Sequence, residues 1–277
     1  MITYSKIGHF GRLGNQMFQF AGTYGIAKRL NYDVSFPLEN INEIKVEHFQ
    51  DGISRECIFD IPKVFKLNKN ILKSKHEILP QIKYSIPEPH FHYSEEYLNI
   101  PDGCDLQGYF QSEKYFEHVE NEIKELFSFK DDIHNKSVEL FPKLEDETVS
   151  IHLRKGDYAA LSNFHPVCSP EYYSKSLSYF TDKNYHFIIF SDDINYCKEL
   201  FGEQENIHYI DNTDPYIDMC LMSMCNHNII ANSSFSWWAA YLNKNLNKKV
   251  IAPKQWFGPA YYNNITDDLY CKNWIIT

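Results

Sequence analysis

From residue 149 onward the chain alternates short apolar runs with helical-period runs, and this alternation leaves little choice of fold. The apolar runs predict strands over 149–153, 187–190, 207–210, 227–231 and 249–252. Residues 170–180, 195–201, 215–225 and 235–242 read as the helices between them. Strands separated by helical crossovers lie parallel, with helices covering both faces of the sheet. The expectation is therefore an α/β fold. In such sheets ligands bind beyond the carboxyl ends of the strands, and every polar motif of this chain falls at such an end.

The first half is less regular. Residues 2–8 read as a strand, 11–14 as a glycine-containing turn, 16–30 as a helix and 33–36 as a second strand. Residues 38–100 are rich in Asn, Lys, Pro and Glu and have weak periodicity, so they are expected to form loops and short helices. A strand over 105–110 is expected to return to the first sheet, followed by a helix over 112–127. Residues 130–147 are charged and polar and read as a linker or connecting helix. The expected division is 1–145 and 146–277, two halves each large enough to bury a core.

Composition removes some functions. The net charge of −10 leaves no basic surface for nucleic acid. Seven cysteines, an odd number with no CxxC pair, argue for reduced thiols rather than a disulfide framework or structural zinc. No run approaches the roughly 20 apolar residues of a membrane span, and the first residues do not read as a signal peptide. The expected location is the cytoplasm, with peripheral attachment at the inner membrane face where lipid-linked glycans are built. The arginines are Arg12, Arg29, Arg55 and Arg154, and two of them stand in glycine-containing motifs. The planar guanidinium fork suits phosphate oxygens.

Four segments carry the candidate chemistry. Gly11-Arg12-Leu13-Gly14-Asn15-Gln16 joins a strand to a helix, where glycines allow close backbone approach and the helix start attracts anions. The plainer alternative is a turn with Asn15 as helix cap. His152-Leu153-Arg154-Lys155-Gly156-Asp157-Tyr158 follows a strand, with His152 and Arg154 on one face. Arg154 can hold phosphate oxygens there, and Asp157 can orient it or accept a proton. Phe190-Ser191-Asp192-Asp193 offers either a helix cap or a ribose contact through Asp192. Its adjacent carboxylates lack the spacing of a metal-binding D-x-D pair. In the fourth segment, Ala231 to Tyr241, Asn232, Ser233 and Ser234 precede a helix, and Phe235 can stack on a base or line a sugar pocket. Trp237, Trp238 and Tyr241 read as core residues. His90-Phe91-His92 has metal-like spacing, but nothing nearby completes a site. There is no G-x-S-x-G hydrolase elbow.

Taken in order, GRLGNQMFQFA, HLRKGDY, FSDD and IANSSFSWWAAYL resemble the motifs of glycosyltransferase family 11, the α-1,2-fucosyltransferases. Lys155 departs from the second arginine that many relatives carry. The resemblance implies a GT-B architecture, two Rossmann-like domains facing a cleft, with acceptor on the N-terminal side and nucleotide-sugar on the C-terminal side. It implies GDP-β-L-fucose as donor, inversion at the anomeric carbon, no metal or other cofactor, and attack by the 2-hydroxyl of a terminal galactose. Under it Arg154, Asp157 and Asn15 are the catalytic candidates. Arg12, Gly14, His152, Asp192, Asn232, Ser233, Ser234 and Phe235 are the donor-binding ones. A different acceptor, such as a protein hydroxyl, and an inactive nucleotide-sugar-binding module are the alternatives.

Overall fold

The computed structural model describes residues 1–48, 54–142 and 145–277. Residues 49–53 and 143–144, which fall in the 38–100 and 130–147 stretches, lie outside the described residues. The chain divides into two compact units, Met1–Lys130 with Asn264–Cys271, and Asp131–Asn263 with Lys272–Thr277.

The first unit contains strands β1 (Ile2–Thr3), β2 (Val34–Pro37), β3 (Lys45–His48), β4 (Ser54–Cys57), β5 (Leu72–Lys73), β6 (Tyr84–Pro87) and β7 (Cys104–Gln107). Its helices are α1 (Leu13–Arg29), α2 (Ile61–Val64), α3 (Lys75–Ile78) and α4 (Glu120–Leu126), joined by short 3-10 turns. A parallel sheet runs β5-β2-β1-β7-β6, while β3 and β4 pair antiparallel. The second unit begins with helix α5 (Asp131–Leu140) and strand β8 (Glu147–Leu153). Helices α6 (Gly156–Ala160) and α7 (Pro170–Leu177), strand β9 (Tyr185–Ser191), helix α8 (Ile194–Phe201) and strand β10 (Ile207–Ile210) follow. Helix α9 (Pro215–Met224), strand β11 (His227–Ile229), helix α10 (Ser234–Leu242), β12 (Val250–Ala252) and β13 (Ile275–Ile276) complete it. This sheet runs β10-β9-β8-β11-β12-β13 and is parallel throughout.

The strand order of the second sheet explains its sequence. From β8 the chain moves outward through β9 and β10, then returns to set β11 on the other side of β8. The central strand is therefore covered on both faces. Val149, Ile151 and Leu153 enter an apolar cluster with Tyr172 and Tyr173 of α7 and Cys197 and Phe201 of α8. The opposite face carries buried Thr148, Ser150 and His152. There Asn228 donates to Ser150 at 2.7 Å, and Asn243 donates to Asn228 at 2.8 Å. Trp237 and Trp238 of α10 are fully buried, the core role expected of them.

Several expectations need correction. The strand expected over 2–8 ends at Thr3, because the chain turns directly after it, with the Ile7 amide bonded to the Tyr4 carbonyl at 3.2 Å. Helix α1 begins at Leu13 behind Arg12, so Asn15 lies in the first turn and is not its cap. The helix expected over 112–127 is broken into 3-10 turns, and only α4 is α-helical. The stretch 38–100 contributes β5 and β6 to the sheet, although β5 has only two residues and β6 ends in proline. The structure also divides differently from 145/146. Helix α5 belongs to the second unit, where Ser137 donates to the Ile217 carbonyl at 3.5 Å. Residues 264–271 belong to the first, where the Tyr93 amide donates to Asp268 at 2.7 Å.

Helix α1 is buried along almost its whole length. Phe20 stacks on Phe36 with ring centroids 4.1 Å apart. Gly22 and Gly25 let the helix approach residues 110–116: a Cβ on Gly25 would lie 2.2 Å from the Tyr115 carbonyl oxygen. Backbone cannot swing aside as a side-chain tip can. Gly25→Ala is expected to destabilise the protein by about 1–3 kcal/mol or more, as overpacked cores do, and urea denaturation would measure the loss.

Candidate functional site

In the second unit the strand order reverses between β8 and β11, which opens a crevice at their carboxyl ends. The HLRKGDY segment leaves β8 into that crevice, and Asn232-Ser233-Ser234 leaves β11 into it. Contacts join the two segments: Tyr158 donates to the Asn232 carbonyl at 3.2 Å, and the His152 and Phe235 rings stand 5.7 Å apart.

Arg154 is the charged centre. Its Nη2 donates to Asp157 Oδ1 at 2.5 Å, and its Nη1 pairs with Asp192 Oδ2 at 2.7 Å. The second oxygen of Asp192 accepts from the Lys155 and Gly156 amides at 2.9 and 3.0 Å. Asp192 is thus the fixed anchor of the turn and the partner of Arg154. Asp157 likewise orients the guanidinium, so of its two alternatives the structure favours orientation over proton acceptance. The helix-cap reading falls to Asp193, which accepts from the Tyr196 amide at 3.0 Å. Lys155 turns toward that cap: its Nζ donates to Asp193 at 2.9 Å and lies 3.9 Å from the centre of the Tyr196 ring. The second cation of the motif therefore fastens α8 and does not share the role of Arg154.

His152 is buried, and desolvation with the neighbouring Arg154 charge pushes its imidazole down to about 3, against the pull of Asp192. It is neutral near pH 7, and its Nδ1 is buried without a hydrogen-bond partner. Tyr173 donates to the His152 carbonyl at 3.0 Å and fixes the strand end from below. Ser233 caps α10, accepting from the Phe235 amide at 3.4 Å, while Ser234 and Phe235 are half-buried on the first turn. The helix start thereby offers amides and a positive dipole end beside Arg154's strand. The Asn232 side-chain amide donates to the Pro166 and Trp256 carbonyls at 2.9 and 3.0 Å. Its Oδ1 accepts from Cys168. Its side chain thus holds two loops in place.

Arg12, Gly14 and Asn15 belong to the first unit. Arg12 supplies the extended residue before α1, with its side chain exposed, and Gly14 is buried in the first turn. Gly11 has a φ of +75°, and a Cβ there would strike Asn15 Cβ at 2.6 Å. Asn15 Oδ1 accepts from Gln111 at 2.9 Å. Gln111 follows β7, so these two residues meet where the first sheet reverses order between β1 and β7. Gln111 was not singled out from sequence, where its signal was a polar side chain a few residues after a strand. Gln16 is buried and structural, bonding the Gly11 and Ile58 carbonyls and the Asp60 amide. His90 and His92 stack face to face with centroids 3.5 Å apart, so their nitrogens do not converge.

A methyl on Gly156 would lie 2.5 Å from Asp192 Oδ2 and displace the carboxylate that aims Arg154. Losing one charge-assisted contact costs about 1.5–3 kcal/mol. Gly156→Ala is therefore expected to destabilise the second unit by about that amount, measured by urea denaturation.

Comparison with known proteins agrees with these motifs. The model of the family described as glycosyl transferase family 11 matches residues 3–277. The chain is 31% identical to the O-antigen biosynthesis glycosyltransferase WbnK of Escherichia coli, covering 93% of this chain and 96% of that protein. It is also 31% identical to an alpha-1,2-colitosyltransferase of Escherichia coli, over 89% of this chain and 90% of that one. The galactoside alpha-(1,2)-fucosyltransferase 2 of Hylobates lar is 25% identical, over 85% and 68%. Among solved structures, NodZ alpha-1,6-fucosyltransferase soaked with GDP-fucose matches with a TM-score of 0.50 at 13% identity, over 87% of this chain and 92% of that one. That likeness concerns the fold, the paired parallel α/β units of GT-B type. The family match over nearly the whole chain, with Arg154 and the α10 start at the reversal point of the second sheet, makes this chain a glycosyltransferase of family 11.

Proposed function

We propose that this glycosyltransferase moves L-fucose from GDP-β-L-fucose to the 2-hydroxyl of a terminal galactose, with inversion and without a metal. The observation that carries the reading is Arg154, aimed by Asp157 and Asp192 at the crevice where α10 begins. Breaking the donor's C1–O bond builds negative charge on the β-phosphate and positive charge on the sugar ring. Arg154, Ser233, Ser234 and the first amides of α10 are the preorganised donors for that leaving diphosphate. His152, neutral and buried beside Phe235, backs the strand end that carries Arg154, and Phe235 offers the nucleotide a ring face. A loose, oxocarbenium-like transition state lessens the demand for a strong base. Asn15 is assigned to the acceptor side of the reaction.

The names of two relatives support a 1,2 linkage, one naming colitose and the other fucose as the transferred sugar. One is named a colitosyltransferase, which favours a second reading in which colitose replaces fucose as the transferred sugar. Because that relative is as similar as any other quoted above, both donors belong in the assay.

EDTA-treated protein titrated with GDP, UDP and CMP should bind GDP preferentially. UDP binding that depends on metal would overturn both donor and mechanism. Transfer from GDP-fucose to a galactoside, compared with GDP-colitose, then decides the sugar. Removing one preorganised donor lowers the rate roughly a hundredfold to a thousandfold, and Arg154→Ala is expected to show that loss in kcat. Arg154→Lys should also be slow, since a point charge cannot keep both carboxylate contacts and still reach the phosphate in bidentate fashion. Wild-type turnover in either variant would refute the assignment.

A further inference from the structure

Glu88 is a half-buried carboxylate that follows β6 at the carboxyl edge of the first sheet, and the reaction scheme above gives it no role. Its Oε2 accepts from the Tyr109 amide at 2.7 Å and its Oε1 from the Phe110 amide at 3.0 Å. The turn it grips is strained: Phe110 is fully buried with a φ of +52°, a conformation that L side chains rarely adopt. Gly108 makes room for the grip, because a Cβ there would lie 2.4 Å from Glu88 Cβ. The residue after the strained one is Gln111, which donates to Asn15 Oδ1 at 2.9 Å. Asn15 in turn packs against the Gly11 turn. Without the carboxylate, the Tyr109 and Phe110 amides would lose the acceptor they share, and the left-handed state of Phe110 would rest on its packing against Tyr97 and Tyr115.

We propose that Glu88 is a positioning residue for sugar transfer: by holding the Tyr109 and Phe110 amides it fixes Gln111, and through Gln111 it sets the side chain of Asn15. This rests on the reading above in assigning Asn15 to the acceptor side. The bond from Gln111 to its Oδ1 fixes the amide plane of Asn15, which suits a positioning role rather than removal of a proton.

The charge of Glu88 belongs to the device. The groups that face it are Asp268 of the 264–271 segment, Tyr4 after β1, and Tyr97 and Tyr115, none of them a cation. Burial, with a smaller push from Asp268, raises its carboxyl to about 7, against the two amide bonds. A raised carboxyl pKa means the folded protein takes up a proton between the ordinary value and about 7, so the carboxylate that both amides prefer is complete only above about 7. Transfer should therefore rise with pH through that region.

The test compares wild type, Glu88→Gln and Gln111→Leu by kcat, donor KM, GDP affinity and pH profile. Misplacing a catalytic group by a fraction of its length slows reactions by roughly tenfold to a hundredfold. Each variant is expected to lose kcat on that scale, with GDP affinity and donor KM within about twofold of wild type. The double variant should be no slower than the worse single one, as for members of one network. Glu88→Gln should also lack the rise near pH 7. Gln111→Leu leaves Glu88 and its amides untouched, so it reads the relay even if Glu88→Gln does not fold. A wild-type kcat in Gln111→Leu, additive losses in the double variant, or an unchanged pH limb in Glu88→Gln would overturn the proposal. An absence of any transfer by wild type would instead count against the fucosyltransferase reading.

Discussion

The second unit depends on the position of β8, which is paired in parallel to β9 on one side and β11 on the other. A parallel strand so placed must be covered on both faces, and its two neighbours must leave the sheet toward opposite faces. A gap opens between β8 and β11 at the carboxyl edge, where the order reverses. The residue that leaves β8 into that gap is Arg154, and the residues that leave β11 into it are Asn232 to Ser234. Site geometry follows from strand order before any side chain is considered.

Arg154 then sits in an unusual balance. One cation is held by two carboxylates, Asp157 and Asp192, and both would repel an incoming diphosphate. The arrangement is useful because it removes freedom. A guanidinium has five donors in a fixed plane, so two can be committed to aiming it while others stay directed at a ligand. Asp192 is itself fixed by two backbone amides, and Gly156 is the only residue type that lets those amides come so close. Lys155, set into the cap of α8, adds positive charge nearby without competing for the same geometry. The first unit uses a comparable device: a carboxylate grips consecutive amides so that the next side chain is aimed.

Legibility in the sequence followed burial. In the second unit, strands covered on both faces read as dense apolar runs, and the expected segments lie within a few residues of the observed ones, with 207–210 matching β10 at both ends. In the first unit β1 and β5 have two residues each, too short for a period to show. They are strands because the neighbouring strands of the sheet pair with them. Helix α1 was misplaced at its start because Leu13 and Gly14 look like a loop locally, yet both are buried once the helix docks.

The sequence by itself determined the α/β class, the place of the polar motifs at strand ends, and the residue types available for a diphosphate. These depend on local periodicity and on which side chains are present. Only the tertiary structure decided that Asp192 pairs with Arg154, that the Asn232 side chain ties loops, and that Glu88 is linked to Asn15 through the turn after β7. Each of those roles is a contact between residues far apart in the chain. A carboxylate or amide has no preferred partner until the fold brings one within hydrogen-bonding distance.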